Sequence, residues 1–340
     1  MVTHTRHRNC QIRFSGESRM RITVIGCGRW GSFIARYLSL SGHDVTLYGR
    51  ASSVHMQELL ATRRNELMEL PPAVALSTDL SCTDQAQIIA ISINSQGLDA
   101  LTRQLAERGL SGKTIVLCMK GIEIATGRRL SQIASENLSK SNRIAVWLGP
   151  GHVQSFCAGI PNCMVIDSED EETKYHLIDA FSGNLIRFYI GNDLIGNEIG
   201  AAAKNVIGIA AGMLDGMSLG ALKGALMARG AREVARLIRA MGGSELSAYG
   251  LCHLGDYEAT VFSPYSHNRR FGEALIRGER YDALAEGYYT AAALIRLSDT
   301  YQVDLPISRA VYEILYEQKD PKETLNALFS RSLKQEFWVE

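Results

Sequence analysis

The sequence predicts an α/β fold in which an N-terminal domain built on a parallel sheet precedes an all-helical C-terminal domain. Three observations support this prediction. Strand-like and helix-like segments alternate from residue 20 to about 190, the strand-like segments are continuously apolar, and no convincing strand follows Asn192. Continuously apolar strands are typical of a parallel sheet that helices cover on both faces. We therefore expect an N-terminal domain over 20–195 and a helical domain over 196–340.

The composition is that of an ordinary globular protein with room for about two domains: 340 residues, 46% of them hydrophobic, and 36 basic against 36 acidic side chains. This charge balance disfavours a nucleic-acid binder or a polybasic membrane-surface protein. No apolar run reaches the length of a membrane span. The seven cysteines are scattered and form no Cys-x-x-Cys pair, which indicates reduced thiols in a cytoplasmic protein.

Residues 1–19 differ in composition from the rest of the chain. They contain four arginines and a single acidic residue, Glu17, and they have no apolar segment of the kind that secretory signals need. We expect the fold to begin at Met20 and residues 1–19 to be a disordered or artefactual extension. An arginine-rich organelle presequence is the alternative.

The first element predicted is a βαβ unit of about thirty residues. Arg21–Ile25 is a β-rich run, and Gly26-Cys27-Gly28-Arg29-Trp30-Gly31 follows it directly. Apolar residues then recur at helical spacing until Gly42, which suits the left-handed position that closes a helix. Asp44–Tyr48 is the second strand.

The glycine motif between this strand and helix predicts a Rossmann-type dinucleotide site. Gly26 permits the tight turn, Gly28 lets the backbone approach the pyrophosphate, and Gly31 lets the helix pack on the strand. The free N–H groups at the start of the helix are suited to bind phosphate. A glycine turn without a ligand is the alternative.

The end of the second strand predicts which dinucleotide is preferred. An acidic residue there would accept hydrogen bonds from the ribose hydroxyls of NAD. This chain has Gly49-Arg50-Ala51-Ser52-Ser53 instead. Because Arg50 and the serines suit a 2′-phosphate, we predict that NADPH is preferred and that NADH is also accepted. The alternative is that Arg50 is a solvated loop residue.

The remaining elements follow from the same patterns. Strands are predicted at 88–93, 114–119 and 144–148, and helices at 98–108 and 128–138. Segments 163–166 and 185–190 are expected to extend the sheet, flanking a helix that opens with a capping box formed by Ser168 and Glu171. In the second half, helices are predicted at 199–214, 224–241 and 282–301.

Lys204 is the first candidate for chemistry because it stands inside an apolar helix. A lysine that extends its ammonium to solvent is the ordinary interpretation. The Ala- and Gly-rich flanks instead allow close approach of a ligand, and burial would lower the lysine pKa toward neutrality, as acid–base catalysis requires.

The segment from Lys204-Asn205 to Asp215-Gly216 resembles the lysine-asparagine helix of NAD(P)-dependent glycerol-3-phosphate dehydrogenases. Other short motifs of that family occur in its order, between about residues 20 and 320: Met119-Lys120-Gly121-Ile122-Glu123, Thr126-Gly127-Arg128, Gly149-Pro150, Arg229-Gly230, Leu254-Gly255-Asp256, Ser266-His267-Asn268-Arg269-Arg270-Phe271-Gly272 and Glu286-Gly287. The resemblance implies a 6-phosphogluconate-dehydrogenase-like helical domain. It also implies reversible reduction of dihydroxyacetone phosphate to sn-glycerol 3-phosphate, which supplies phospholipid synthesis.

The resemblance also implies roles for individual residues. Lys204 would be the proton donor and acceptor, and its catalytic partner Lys120 would contact both cofactor and substrate. The positive charge of Lys120 would also lower the pKa of Lys204 and help to bind the phosphorylated substrate. Further substrate contacts are expected at Gly149, Gly151, Asn205, Asp256, Ser266, His267 and Asn268. Further cofactor contacts are expected at Arg29, Trp30, Val153, His267, Leu284 and Glu286. The structural alternatives are a helix cap for Asp256, a turn former for Asn268 and a solvated acid for Glu286.

Two departures from the family pattern lie in the substrate region: Gly151 replaces a Ser or Thr, and His267 replaces the arginine of Ser-Arg-Asn. In addition, Asn94-Ser95-Gln96 stands where Pro-Ser-Gln is usual, and the loop Gly220–Ala225 is one residue short. Arginine offers a permanently charged bidentate fork and histidine does not. A histidine would bind phosphate well only when protonated, so the sequence predicts a substrate KM that rises between about pH 6 and pH 8.

Two other functions remain as alternatives. A related two-domain reductase of an unphosphorylated 2-oxo acid, of the ketopantoate or hydroxyacid type, would keep the glycine turn and Lys204 without needing Lys120, Arg269 or Arg270 near a phosphate. A non-catalytic NADPH-binding protein would not need Lys204, Lys120 and Asp256 together. The sequence predicts a small-molecule partner, no metal, no nucleic acid and no membrane, and it leaves a homodimer open.

Overall fold

The N-terminal part is organised around one eight-stranded sheet. The computed structural model describes residues 19–283 and 285–332. The strands are β1 (Arg21–Ile25), β2 (Asp44–Tyr48), β3 (Ala75–Ser77), β4 (Ile88–Ile91), β5 (Thr114–Leu117), β6 (Arg143–Leu148), β7 (Asn162–Ser168) and β8 (Ile186–Ile190). Their spatial order is β3-β2-β1-β4-β5-β6-β7-β8. The first six strands are parallel and have the order of a dinucleotide-binding sheet, which confirms the predicted fold class.

The segments expected to extend the parallel sheet do form strands, but β7 runs antiparallel to β6, whereas β8 is parallel to β7. The connection between β6 and β7 contains only the five-residue helix Val153–Cys157. Such a helix spans about 8 Å, whereas β6 with its six residues spans about 20 Å. The 13 residues between the two strands (149–161) are close to the minimum for a parallel crossover, and with so short a helix the chain re-enters the sheet antiparallel to β6.

In the described part of the N-terminal half, six α-helices accompany the sheet: α1 (Arg29–Leu40), α2 (Val54–Thr62), α3 (Leu98–Glu107), α4 (Leu130–Asn137), α5 (Val153–Cys157) and α6 (Glu171–Phe181). The sequence analysis missed α2 and the short edge strand β3. The predicted capping box at α6 was wrong. Asp170 is the cap and accepts from the Thr173 N–H at 3.0 Å, while the Ser168 hydroxyl donates to the Ile144 carbonyl.

The glycine turn joins β1 to α1 and leaves no room for a side chain at Gly26 or Gly31. Gly26 has φ of +113°, and its N–H donates to the Tyr48 carbonyl at 2.9 Å, which places the end of β2 beside the turn. A Cβ at Gly31 would lie 1.8 Å from the Gly26 carbonyl oxygen. At Gly28, in contrast, a Cβ would meet nothing within 4 Å among the described atoms, so this backbone is open to a ligand.

The second half is helical around one long central helix, and within the described residues no strand follows Ile190. Its helices are α7 (Leu194–Gly216), α8 (Lys223–Ala240), α9 (His267–Arg277), α10 (Glu286–Tyr301), α11 (Pro306–Tyr316) and α12 (Pro321–Phe329). The first helix predicted here is longer than expected, and α10 begins at Glu286 rather than at residue 282. The boundary that we predict near residue 195 lies at the start of α7.

Helix α7 is buried along most of its length because small residues let its neighbours approach closely. A Cβ at Gly212 would lie 1.9 Å from the Arg269 carbonyl oxygen, and one at Gly272 would lie 2.1 Å from that of Ile209. Helix α7 also packs on β6 and β7 of the sheet. The Ala- and Gly-rich sequence therefore places Lys204, in the middle of α7, where the helices meet the sheet. In the part of the chain described, no helix combines the length and apolarity needed to cross a membrane.

Candidate active site

A cavity of about 330 Å³ lies between the carboxyl ends of the parallel strands and the helices α7, α9 and α10. Crevices at this edge of an open parallel sheet are where ligands bind in such folds. Twelve of the residues that the sequence singles out line it: Arg29, Trp30, Lys120, Gly151, Val153, Lys204, Asn205, Asp256, Ser266, His267, Asn268 and Glu286. Segments more than 200 residues apart therefore contribute to one cavity.

Two lysines share one carboxylate oxygen in this cavity. The ammonium nitrogens of Lys204 and Lys120 each lie 2.7 Å from Oδ2 of Asp256. Lys120 also donates to the Gly149 carbonyl at 2.6 Å, so the Gly-Pro loop contributes through its backbone. Asp256 is 1% exposed and Lys204 is 7% exposed. A solvent-extended Lys204 does not fit this burial, and the alternative of Asp256 as a helix cap does not explain its contacts with two lysines.

The ammonium of Lys204 is poised to exchange a proton near neutrality. Burial lowers its pKa from the ordinary value of 10.5 to about 8. The Asp256 carboxylate acts in the opposite direction, and the positive charge of Lys120 lowers the pKa further. Burial is thus the larger cause of the low pKa of Lys204. The positive charge of Lys120, which the sequence analysis expects to have this effect, lowers the pKa further.

Thr260 is a site residue that the sequence analysis missed. Its hydroxyl accepts from the Lys204 ammonium at 2.8 Å, and its side chain is buried. Thr260 lies on a π-helical turn, Glu258–Phe262, that begins just after Asp256. The four-residue spacing of Asp256 and Thr260 was the available signal, since helical residues so spaced share one face.

Two asparagines fix the orientation of α7, α9 and α10 at the cavity. Asn268 donates from Nδ2 to Oδ1 of Asn205 at 3.0 Å and accepts the Gly287 N–H at 2.9 Å. Asn205 donates in turn to the Lys120 carbonyl at 3.4 Å. Each amide thus joins two segments, which the alternative of Asn268 as a simple turn former does not explain.

Glu286 connects the helical half to the sheet. Its carboxylate accepts from the Ser95 hydroxyl at 2.7 Å and from the Ser95 N–H at 3.4 Å. Burial raises the pKa of Glu286, and the hydrogen bonds from Ser95 oppose that rise. A freely solvated acid is therefore excluded, and Ser95 joins the residues that the sequence analysis noted without assigning a role.

The loop after β6 explains why this chain has glycine at position 151. Gly151 has φ of +145°, and a Cβ there would lie 2.4 Å from the Phe156 ring. Two buried atoms have no hydrogen-bond partner among the described residues: Nε2 of the next residue, His152, and Oδ1 of Asp256. Buried polar atoms without partners are costly. Both residues line the cavity, which fits a ligand with hydroxyl or carbonyl groups.

The hypothesis that a protonated His267 binds phosphate is not supported. Nη1 of Arg29 lies 2.6 Å from Nε2 of His267, and Nδ1 of His267 lies 2.5 Å from the Tyr281 hydroxyl. Because arginine only donates, Nε2 must accept, and the imidazole is neutral with its proton on Nδ1. Burial first, and then the charges of Arg29 and Arg270, lower the pKa of His267. The predicted rise in substrate KM between pH 6 and pH 8 is therefore withdrawn.

The other described residues that the sequence singles out do not line the cavity. Gly26, Gly28 and Gly31 form the adjacent turn, and Arg50 is exposed at the end of β2. Arg269 pairs with Asp215 at 2.5 Å and with Glu273 at 3.2 Å, away from the cavity. Leu284 lies outside the described residues. The contacts that we predict between these residues and a cofactor remain predictions.

Comparison with known proteins identifies the family. The model of the NAD-dependent glycerol-3-phosphate dehydrogenase N-terminus matches residues 21–174, and that of the C-terminus matches residues 193–326. The chain is 33% identical to glycerol-3-phosphate dehydrogenase [NAD(P)+] 2 of Salinibacter ruber, over 94% of this chain and 96% of that protein. It is 36% identical to glycerol-3-phosphate dehydrogenase [NAD(P)+] of Agrobacterium fabrum, over 94% of this chain and 99% of that protein.

Solved structures agree with this assignment. The crystal structure of glycerol-3-phosphate dehydrogenase from Coxiella burnetii superposes with a TM-score of 0.86 at 27% identity, covering 92% of this chain and 99% of that one. A ketopantoate reductase from Ralstonia eutropha shares only the fold, with a TM-score of 0.61 at 15% identity, covering 90% of this chain and 100% of that one. The chain belongs to the NAD(P)-dependent glycerol-3-phosphate dehydrogenase family.

Proposed function

We propose that this protein is an oxidoreductase that interconverts dihydroxyacetone phosphate and sn-glycerol 3-phosphate with NADPH as the preferred cofactor. The observation that carries the proposal is the shared carboxylate, which holds Lys204 and Lys120 together at the carboxyl edge of the dinucleotide-binding sheet. The product, sn-glycerol 3-phosphate, would supply phospholipid synthesis.

The chemistry of the cavity suits reduction of a ketone. The dinucleotide supplies the hydride, and negative charge then develops on the carbonyl oxygen of the substrate. The Lys204 ammonium stabilises that oxygen and donates its proton, because its pKa of about 8 lies close to neutral pH. Asp256 and Thr260 hold the ammonium in place, and Lys120 adds a second positive charge beside the oxygen.

The substrate test is a comparison of ketones. We expect the enzyme to oxidise NADPH with dihydroxyacetone phosphate at a kcat/KM at least about a hundredfold above that with ketopantoate, because a missing phosphate leaves a charged subsite unpaired. The measurement is the initial rate at 340 nm with each ketone. A faster reaction with ketopantoate or another 2-oxo acid would replace the proposed function with that of an unphosphorylated-acid reductase.

The preference for NADPH depends on Arg50. The end of β2 lies beside the glycine turn through the Gly26–Tyr48 hydrogen bond, and residues 49–53 contain no acid. The Arg50 side chain is exposed there, where a 2′-phosphate would lie. A guanidinium–phosphate contact is charge-assisted and stronger than a neutral hydrogen bond.

Replacing Arg50 with Glu should lower the ratio of kcat/KM for NADPH over NADH by about 10- to 100-fold, since a charge-assisted bond is replaced by repulsion. The control is Arg21→Glu, the same charge change on an exposed residue at the opposite end of β1. It should leave the ratio unchanged. Equal kcat/KM for both cofactors in the wild type would remove the proposed preference.

A further inference from the structure

Arg29 joins the glycine turn to the first residue of α9. It is the first residue of α1, yet its guanidinium extends to His267, with Nη1 lying 2.6 Å from the imidazole. Its Nε bonds to the carboxylate of Glu66. Among the described residues, Nη2 of Arg29 has no hydrogen-bond partner. Two of the three guanidinium nitrogens, Nε and Nη1, are therefore held by protein groups, and Nη2 is open to a ligand.

His267 acts on Arg29 as a neutral acceptor. The imidazole is held by Tyr281 at Nδ1 and by its place at the start of α9, and it presents the lone pair of Nε2 to the guanidinium. A protonated imidazole would instead direct an N–H at Nη1, and both groups would be donors without an acceptor. His267 therefore orients the arginine and does not itself supply the charge.

The other cations near the cavity are held by partners of their own. Lys120 and Lys204 both contact Asp256, and Lys204 is needed at the carbonyl oxygen. Arg269 pairs with Asp215 and Glu273, and the Arg270 guanidinium lies over the Tyr281 ring. In the part of the chain that the structure describes, Arg29 is thus the cavity-lining cation without a contact to Asp256.

We propose that the guanidinium of Arg29, oriented by His267, binds the phosphate of the substrate. This inference rests on the proposed function and specifies one of its subsites. It replaces the cofactor contact that the resemblance implies for the Arg29 side chain. The backbone N–H groups at the start of α1 remain available for the dinucleotide, because the Arg29 guanidinium contacts Glu66 and His267. A phosphate oxygen bound at Nη2 would complete the fork that suits arginine to phosphate.

The test separates substrate phosphate from cofactor phosphate. Inorganic phosphate is titrated by calorimetry into enzyme saturated with NADPH, so that the pyrophosphate subsite is already filled. We expect Arg29→Ser to weaken this binding, and to raise the KM for dihydroxyacetone phosphate, by about 10- to 100-fold. The KM for NADPH and kcat should change less than about twofold. Arg29→Lys should lie in between because it keeps the charge and loses the fork.

The double variant Arg29→Ser/His267→Arg tests whether the two positions share one subsite. A guanidinium at position 267 would start from the same end of α9 and fill the space that Arg29 leaves, so most of the lost affinity should return. The control is Arg36→Ser, which removes an arginine from the same helix outside the cavity. Its phosphate affinity should match that of the wild type.

Three results would overturn the inference: a raised KM for NADPH with unchanged phosphate binding, unchanged values for both ligands, or no recovery in the double variant. The first would assign the guanidinium to the cofactor. A wild type that binds phosphate through Arg29 but does not reduce dihydroxyacetone phosphate would instead refute the proposed substrate and leave this anion site intact.

Discussion

Replacing Lys204 with Ala should lower kcat for dihydroxyacetone phosphate reduction by about 10²–10⁴-fold, the usual contribution of a general acid. The structure shows why the loss should be in turnover. Lys204 lies between Asp256 and Thr260 on the cavity wall, apart from the glycine turn that would hold the dinucleotide. The Kd for NADPH, measured by fluorescence titration, should therefore stay within about threefold of the wild-type value.

The control for this substitution is Lys223→Ala. Lys223 is also a buried lysine of the helical half, and its ammonium lies 2.6 Å from the Asp215 carboxylate, outside the cavity. It should lower the free energy of unfolding without lowering kcat. If Lys204→Ala keeps more than half of the wild-type kcat, Lys204 is not the proton donor.

Replacing Asp256 with Asn should shift the pH profile of the reaction. In the wild type, kcat/KM for reduction should fall as the pH rises above about 8, because the proton donor is the charged form of Lys204. A neighbouring carboxylate raises a lysine pKa by roughly one to three units. Without it, this alkaline limb should move to between about pH 5 and pH 7. For a two-unit shift, protonation alone lowers kcat/KM at pH 7 by about tenfold.

Removing the carboxylate that the two lysines share should also destabilise the fold, because Lys204 is buried. The control separates this effect from the catalytic one. Asp215 likewise accepts from two cations, Lys223 and Arg269, but lies outside the cavity. Asp215→Asn should lower the free energy of unfolding in urea while the alkaline limb stays near pH 8. An unshifted limb in Asp256→Asn would show that the carboxylate does not set the pKa of Lys204.

Much of the fold could be predicted from local patterns. The glycine turn, the first βαβ unit and the main parallel strands follow from the spacing of apolar residues and glycines within about thirty residues. The errors lie where contacts or connections beyond the local sequence determine the structure. The direction of β7 depends on the short connection that follows β6, and the Ser168 hydroxyl does not cap α6 because it donates to the Ile144 carbonyl of the neighbouring strand.

The identity of the main site residues could also be predicted, because Lys204, Lys120 and Asp256 occur in motifs whose order along the chain is specific to a family. The geometry of these residues could not be predicted. Asp256 is 136 residues from Lys120 and 52 from Lys204, and no local pattern indicates that both ammonium groups meet one carboxylate oxygen. Thr260 and Ser95 were left without a role because their partners, Lys204 and Glu286, lie on other elements.

The protonation states were decided by the tertiary structure alone. The pKa of Lys204 depends on how much water the packed helices exclude, and that of His267 depends on its burial and on two arginines. The sequence by itself determined the dinucleotide-binding architecture and the residue types at the site, since backbone conformation and apolar periodicity are local properties. Charge and hydrogen-bond partnership are properties of the surroundings, so only the folded chain shows that His267 is a neutral acceptor for Arg29.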